Sequence, residues 1–543
     1  MKKKTSILTA ALLLTMITFI VFAGGSGQRE SVETLAEVGF RETGLPIVTR
    51  PYSIRAIGSS HSSTPPWENL EIFQILERVT GIHIEWVQYA GADWATQRNL
   101  IFASGDLPEI FFGRGILDES QVILNREAFL PLNDLIARYG HNLQAVFRDD
   151  PNMERLARAY DGTIYGLPQK MPYRPVTNQA WGINTIWLER LNLQMPTTTE
   201  ELYNVLRAFK ERDPNRNGLA DEIPASFLGG NHGGNRGIEN FFGPFGVVPS
   251  GGDWLNVTNG RVNFIVTLEG FRDATAYLHR LYSEGLLDVE LFTQTSSMLA
   301  AKVNPAEGQP EIVGLSGQWG RNYHFGPERS EHYALVMPLR GPRGHQQWAY
   351  SPESNQYGRY AYMITTRARH PEIAMRLGDA LYEQTMSLNL YHGPEGLAWR
   401  YNAAGNVEML EPTPGFQGDW GWGIAINDRA PGYTSDRMSS QYVWLGSGAH
   451  NAQHIADKQN FEPYFPTEWW PQTHMISFTA NELAELALLT QDIVGPSRTR
   501  FAEWVTRGGV EQEWEAWVRQ INNMGLPRML AIYQAAYDRY MGR

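Results

Sequence analysis

Residues 51–58 (PYSIRAIG) predict a β-strand, and the segments that follow it decide the fold class. Trp67–Thr80 (WENLEIFQILERVT) carries apolar residues at helical spacing, and Gly81–Gln88 (GIHIEWVQ) alternates apolar and polar residues as a strand does. A helix over Gln97–Ala103 and a short apolar strand over Glu109–Phe112 continue this order. Strands that alternate with helices indicate an α/β fold, in which crossover helices cover the sheet.

The downstream sequence predicts further amphipathic helices. Thr198 and Glu201 have the spacing of a capping box, and apolar residues then recur at helical intervals. Two more helices are predicted over Thr267–Glu284 and Pro371–Gln384, and a last one over Leu530–Tyr540. The C-terminal region also carries a stripe of residues that we expect to face the core, namely Trp514, Trp517, Val518, Ile521 and Met524.

Size and composition restrict the possible functions. The chain has 543 residues, too many for one simple core, so two or more lobes are expected. Its formal net charge of -12 repels polyanions, and no nucleic-acid partner is expected. The absence of cysteine excludes disulfides, thiolate metal sites and a lipidated cysteine. The 17 Trp, 24 Tyr and 23 Phe suit the apolar faces of sugars, although a large core also uses such residues.

The N-terminus predicts export. Lys2, Lys3 and Lys4 precede a nearly unbroken apolar run, Ile7–Ala23, and small residues follow that run. This pattern indicates a secretory signal peptide over residues 1–23, with residues 24–48 as a flexible leader into the fold. An uncleaved membrane anchor is the alternative, but the run is short for a spanning helix.

The most specific local pattern begins at Asp213 and reads DPNRNGLADE. Oxygen-bearing side chains stand at alternate positions, and Gly218 permits a sharp turn, as in calcium-binding loops. Pro224 stands where an EF-hand has its bidentate glutamate, so the acidic residues before it must close the coordination shell. The predicted ligands of a structural Ca2+ are Asp213, Asn215, Asn217, the Leu219 carbonyl, Asp221 and Glu222. A polar turn that only ends the preceding helix is the alternative.

Several enzyme signatures are absent from the sequence. There is no GxxxxGK[ST], HExxH or GxSxG motif, which excludes P-loop nucleotide hydrolysis and removes two common hydrolase signatures. His450 and His454 have the spacing of a shared helix face, but no third ligand lies nearby, so surface histidines are the better interpretation. The many Asp and Glu residues leave a glycosidase carboxylate pair open.

Five motifs together resemble the extracellular solute-binding proteins of ABC-type sugar importers. They are ASGDLPEI at Ala103–Ile110, DGTIYGLP at Asp161–Pro168, the stretch Pro196–Pro224 with its calcium-type loop, LYSEGLLD at Leu281–Asp288 and AAYDRY at Ala535–Tyr540. The resemblance runs from residue 51 to the C-terminus. The subgroup that it resembles is the long-chain one, which includes alginate-oligosaccharide-binding proteins and lipoprotein relatives.

This resemblance implies a two-lobed α/β fold of the type II periplasmic-binding-protein kind, with a hinge, a ligand cleft between the lobes and a helical C-terminal region. We expect lobe 1 to comprise residues 49–178 and 350–425, and lobe 2 to comprise residues 179–349 and 426–543. The resemblance also implies structural Ca2+ at loop 213–222, an oligosaccharide ligand, the membrane subunits of an ABC importer as partners, and a monomer. Many relatives carry a lipobox cysteine, but Gly24 follows Ala23 here, which predicts a periplasmic or secreted protein without a lipid anchor.

Candidate cleft residues are aromatic and charged residues in polar or glycine-rich sequence, because loops line a cleft between α/β lobes. The aromatic candidates are Trp319, Trp422, Trp94, Trp348 and Trp420, and small residues flank the first two. Arg321 and Arg359 are candidates for pairing with an acidic sugar, with plain surface charge as the alternative. Asp106 is a candidate for accepting hydrogen bonds from sugar hydroxyls, with the capping of a turn as its alternative.

These features predict a binding protein without catalytic residues. One competing hypothesis is a secreted polysaccharide-degrading enzyme, which shares the aromatic content, the export signal and the calcium loop. The other is a binding protein for a peptide or another solute. An enzyme releases products from the sugar, and a peptide receptor responds to peptides and not to sugars.

Overall fold

The computed structural model describes most of the chain beyond the predicted signal peptide. The described residues are 33–61, 63–171, 177, 180–230, 237–249, 254–320, 324–326, 328–349, 356–414, 420–445, 456–471 and 475–542. Arg321, His450 and His454 lie outside these ranges. No helix within them is long and apolar enough to cross a membrane.

A six-stranded sheet forms the first lobe. Its strands, numbered in chain order, are β1 (Tyr52–Ser60), β2 (Ile82–Ala90), β3 (Ile110–Phe112), β4 (Leu167–Lys170), β11 (Tyr357–Ile364) and β14 (Gly432–Tyr433). The order across the sheet is β14-β4-β11-β3-β1-β2. β11 is antiparallel to both of its neighbours, and the other adjacent pairs are parallel. The carboxyl ends of β1, β2, β3, β4 and β14 therefore share one edge with the start of β11.

A four-stranded sheet forms the second lobe. Its strands are β5 (Ala180–Asn184), β6 (Ile223–Ser226), β9 (Val313–Gln318) and β10 (Tyr333–Val336), in the order β10-β5-β9-β6. β5 is antiparallel to β9 and β10, whereas β6 is parallel to β9. A hairpin of β7 (Leu255–Thr258) and β8 (Arg261–Phe264) and a small sheet of β12 (Trp399–Tyr401), β13 (Val407–Met409) and β15 (Val443–Trp444) complete the described strands.

Helices cover both sheets and make up the C-terminal region. The described α-helices span Glu71–Thr80, Gly91–Ser104, Glu119–Leu124, Asn133–Tyr139, His141–Asp149, Pro151–Ala157, Thr185–Arg190, Thr199–Glu211, Glu269–Ser283, Ser296–Val303, Pro371–Ala380, Gln384–His392, Trp420–Ile424, Asp436–Ser439, Ala480–Arg507, Val510–Asn523 and Leu526–Tyr540. The predicted capping box is confirmed, because the Thr198 hydroxyl accepts the Glu201 N–H at 3.1 Å and the Glu201 carboxylate accepts the Thr198 N–H at 3.2 Å. The predicted core stripe is confirmed at Trp514 and Trp517, which are both buried.

The connections between the sheets place their carboxyl edges together. β4 ends at Lys170, and the chain then enters β5, whose first residue, Ala180, pairs with Gln318 at the carboxyl end of β9. The return connection leaves β10 at its carboxyl end and enters β11 at Tyr357, which pairs with Lys170. Both connections therefore join the carboxyl edge of one sheet to the carboxyl edge of the other. Ligands of open α/β sheets bind at such edges.

The structure corrects two details of the predicted organisation. Residues 33–48, predicted to belong to a flexible leader, are anchored to the first lobe, because Val38, Ile47 and Val48 are buried in its core. Their apolar side chains gain more from this burial than they would as an exposed leader. Gly432–Tyr433, predicted to lie in lobe 2, pairs with β4 of the first sheet.

Candidate functional site

The carboxyl edge of the first sheet carries a stacked aromatic pair. His61 directly follows β1, and its ring lies 4.4 Å from the Trp422 ring at an interplanar angle of 15°. The His61 Nδ1 atom accepts the Ser63 N–H at 3.1 Å, which fixes the orientation of the imidazole. Trp422 and Trp420 both lie in the short helix Trp420–Ile424, and both are half-buried. This edge thus presents ordered rings of the kind that pack against sugar C–H faces.

The carboxyl edge of the second sheet carries Trp319, which directly follows β9 and is half-buried. The Lys458 ammonium lies 4.5 Å from the centroid of the Trp319 ring and donates to the Thr177 carbonyl at 3.2 Å. Thr177 belongs to the connection from β4 to β5, so these contacts tie the ring to a segment that joins the lobes. Lys458 is fully buried, and burial lowers the pKa of its ammonium.

Two other predicted aromatics have a different role. Trp94 lies in the helix Gly91–Ser104, not in a loop as predicted, and its indole N–H donates to the Ile116 carbonyl at 2.6 Å. Trp348 is 1% exposed and packs against Trp181, with 5.0 Å between ring centroids. Both rings lie in the same hydrophobic core cluster. Flanking polar residues did not reveal this, because burial of an indole depends on residues distant in sequence.

The two charged candidates that the structure describes are engaged within the protein. The Arg359 side chain is 3% exposed and pairs with the Glu119 carboxylate at 2.8 Å, so it is not a surface charge and its charge is already neutralised. Asp106 is exposed but pairs with Arg55 at 2.7 Å, and that guanidinium lowers the pKa of the Asp106 carboxyl. Asp106 precedes β3 and therefore lies toward the amino-terminal edge of the sheet, away from His61.

Sequence reasoning missed His61, Lys458 and Thr177. His61 stands immediately after the first predicted strand, and the rule that ligands gather at carboxyl ends would have selected it. Lys458 and Thr177 carry no such signal, because they meet Trp319 only through the tertiary fold.

The predicted calcium loop forms a compact polar turn after the helix Thr199–Glu211. The Asp213 carboxylate accepts the main-chain N–H groups of Asn217 at 3.2 Å and Gly218 at 3.1 Å. The side-chain amides of Asn215 and Asn217 donate to the two oxygens of Asp221 at 2.9 and 2.8 Å. These bonds link Asp213, Asn215, Asn217 and Asp221 within one turn.

The Glu222 carboxyl of this loop has a raised pKa. Burial raises the pKa of the Glu222 carboxyl, and the charges of Asp213 and Asp221 raise it further. Its buried Oε1 atom has no hydrogen-bond partner among the described residues. Within the same residues no group of three His, Cys, Asp or Glu side chains is arranged to hold a metal alone, so a cation here would also need amide and carbonyl oxygens. An unpartnered buried oxygen among like charges suits a hard cation.

Comparison with known proteins assigns the family. A family model described as bacterial extracellular solute-binding protein matches residues 71–384. The fructooligosaccharide ABC transporter substrate-binding protein FusA of Streptococcus pneumoniae is 28% identical over 563 residues, and the match covers 99% of each chain. The structure of FusA in complex with kestose aligns with a TM-score of 0.79 at 27% identity, covering 90% of this chain and 99% of that one.

Two further structures extend the comparison. An EF-hand mutant of FusA in complex with fructo-nystose aligns with the same TM-score and coverage. The alginate-binding protein AlgQ2 without calcium ion aligns with a TM-score of 0.70 at 23% identity, over 91% of this chain and 100% of that one, which supports the two-lobed fold. The family model matches more than half of the residues of this chain. The chain therefore belongs to the bacterial extracellular solute-binding proteins.

Proposed function

We propose that this protein binds a neutral oligosaccharide between its two lobes, outside the cytoplasm, and delivers it to the membrane subunits of an ABC importer. FusA, which aligns along the whole chain, is a fructooligosaccharide-binding protein of this kind. No bond of the ligand breaks in this process, so no catalytic residue is required. A cleaved signal peptide without a lipobox cysteine would leave the protein without a lipid anchor, and we expect it to act as a monomer.

The observation that carries this proposal is the placement of the aromatic residues. The stacked His61–Trp422 pair and Trp319 lie at the carboxyl edges of different sheets, and two chain connections join those edges. A ligand between the lobes would meet rings from both sides. Differential affinity for the closed arrangement would then drive closure.

The engagement of one predicted charged residue favours a neutral ligand over an acidic one. Arg359, the described arginine that was predicted to meet an acidic sugar, is neutralised by Glu119 and is buried. Arginine forks are the usual partners of carboxylates, so the loss of this candidate weakens recognition of uronic acids.

A structural calcium ion is part of the proposal. Asp213, Asn215, Asn217, the Leu219 carbonyl, Asp221 and Glu222 would hold it, and the ion would supply positive charge to three carboxylates of one loop. Chelation should lower the melting temperature of the wild-type protein, and Asp221→Ala should abolish that difference. An equal melting temperature with calcium and with chelator, together with no bound calcium, would rule the ion out.

Calorimetric titration with a panel of neutral and acidic oligosaccharides tests the binding function. We expect saturable binding of a neutral sugar that stays chemically intact. Trp422→Ala and Trp319→Ala should each weaken binding by at least about tenfold, the equivalent of about 1.4 kcal/mol. Leu488→Ala is the control, because this side chain is 67% exposed on the helix Ala480–Arg507. Cleavage of the sugar would indicate an enzyme, and binding of peptides alone would indicate another solute class.

A further inference from the structure

A polar cavity of about 460 Å³ lies in the first lobe, apart from the aromatic pair. One wall is the end of the helix His141–Asp149 together with Glu383 and Gln384. The opposite wall is the β12–β13 hairpin, with Tyr401 and Asn406, and the segment from Tyr433 to Gln441 completes it. The cavity thus lies between the main body of the lobe and the small three-stranded sheet that covers it.

The cavity adjoins the carboxyl edge that also carries His61. Tyr433 ends β14 and donates its hydroxyl to Asp149 at 2.7 Å. The neighbouring Asp150 pairs at 2.8 Å with Lys170, the last residue of β4. Four strand spacings separate β1 from β14, so His61 and Tyr433 lie about 19 Å apart along this edge at about 4.8 Å per spacing.

The cavity wall offers hydrogen-bonding groups that the protein leaves unused. Among the described residues, the side chains of Asn406, Gln441 and Arg437 have no hydrogen-bond or ion-pair partner. The Tyr401 hydroxyl accepts the Gln384 amide at 2.7 Å, which holds a ring that is 36% exposed beside them. Amides, a guanidinium and an ordered aromatic face are suited to a ligand with many hydroxyl groups.

The charges of the wall favour a neutral ligand. Asp149 and Glu383 place two carboxylates at the cavity, and Arg437 places one guanidinium. Asp149 accepts from Tyr433, and Glu383 accepts the Met386 N–H at 2.9 Å, so both carboxylates are held in position. An anionic sugar would meet more negative than positive charge here.

We propose that this cavity is a distal saccharide subsite, which binds the far end of a long neutral oligosaccharide whose other end lies at the His61–Trp422 pair. The inference rests on the proposed function, since it extends the same ligand along the same edge. It makes the protein selective for chain length, because a short ligand cannot reach both places.

The test is calorimetric titration with neutral fructooligosaccharides of increasing length, starting from the trisaccharide kestose. In the wild-type protein the affinity should rise with length until the ligand reaches the cavity. Tyr401→Ala and Gln441→Ala should remove that rise, with a loss of at least about tenfold for long ligands and less than about twofold for kestose. Trp422→Ala should weaken binding at every length.

The outcomes separate the two proposals. If both cavity variants bind every length as the wild-type protein does, or if two saccharides bind per protein, the distal subsite is wrong while the proposed function stands. If no oligosaccharide of any length binds the wild-type protein, the proposed function itself fails. Gln441 is exposed, so its replacement keeps the test valid if Tyr401→Ala fails to fold. Oligogalacturonates should not bind at the cavity, and preferential binding of these acids would also overturn the inference.

Discussion

Removal of the Glu119 carboxylate should strongly destabilise the protein. Glu119 pairs with Arg359 at 2.8 Å, and each side chain is only 3% exposed. The same carboxylate accepts the hydroxyls of Tyr360 at 2.5 Å and Ser477 at 2.8 Å. Ser477 precedes the helix Ala480–Arg507, so this cluster links the first sheet to the C-terminal helices.

The expected magnitude follows from the uncompensated charge. Removing one partner of a buried ion pair costs about 3–5 kcal/mol, because the other charge stays buried without its counter-ion. Glu119→Gln keeps the volume of the side chain and removes only the charge, so it should fall within or just below that range. Urea unfolding followed by tryptophan fluorescence and circular dichroism measures the change in free energy of unfolding. The matched control is Glu485→Gln, which breaks an exposed pair with Arg528 at 2.7 Å and should change stability very little.

Two results would contradict the pairing of Glu119 with Arg359. If Glu119→Gln lowers the free energy of unfolding by less than about 1 kcal/mol, the buried charge is not paired as the structure shows. The double variant Glu119→Gln/Arg359→Met should recover part of the loss, since it removes the orphaned guanidinium. A double variant less stable than Glu119→Gln alone would also contradict the argument.

Three further predictions concern single side chains. Burial by itself would raise the pKa of the Asp150 carboxyl, but the hydrogen bond and charge of Lys170, together with hydrogen bonds from Tyr357 and the Asn152 N–H, outweigh burial and lower it. Asp150 therefore contributes stability that is complete above its unfolded-state pKa of about 3.9 and is lost as the pH falls through the lower folded-state value. Asp150→Asn should flatten the acid limb of a plot of melting temperature against pH. An unchanged acid limb would refute this prediction. Asp106→Ala should leave oligosaccharide affinity within about twofold in titrations, because Asp106 pairs with Arg55 away from the aromatic pair; a loss of about tenfold would place ligand at that edge. Thr198→Ala should lower the free energy of unfolding by about 1 kcal/mol, because the helix cap is lost. Thr198→Ser should retain most of the stability that the cap contributes, and urea unfolding measures both variants.

Local patterns predicted the first three strands of the chain and several of the helices. The alternation in Gly81–Gln88 became β2, and the cap at Thr198 started its helix, because both features depend on neighbours within a few residues. Trp94 shows the limit of this approach. Its polar surroundings suggested a loop, but the ring packs against Phe111 and donates to Ile116. Those partners lie more than a dozen residues away, and no local pattern specifies them.

The predicted calcium loop could be recognised in the sequence, whereas the positions of the aromatic rings could not. Loop 213–222 is contiguous, so its donors and their spacing are visible in the sequence. The His61–Trp422 stack joins residues from opposite ends of the first lobe's chain, and Arg359 and Glu119 are also far apart in the sequence. Their roles depend on which strands become neighbours.

The sequence by itself determined the α/β class, the capped start of the helix Thr199–Glu211, the predicted export signal and the donor order of the predicted calcium loop, because each depends on residue types at short spacing. The tertiary structure alone decided which aromatics lie at the carboxyl edges, which arginine is neutralised and where a polar cavity forms. The physical reason is that burial and charge pairing are set by long-range packing. Strand order brings together side chains that are hundreds of residues apart, and their free energies depend on that proximity.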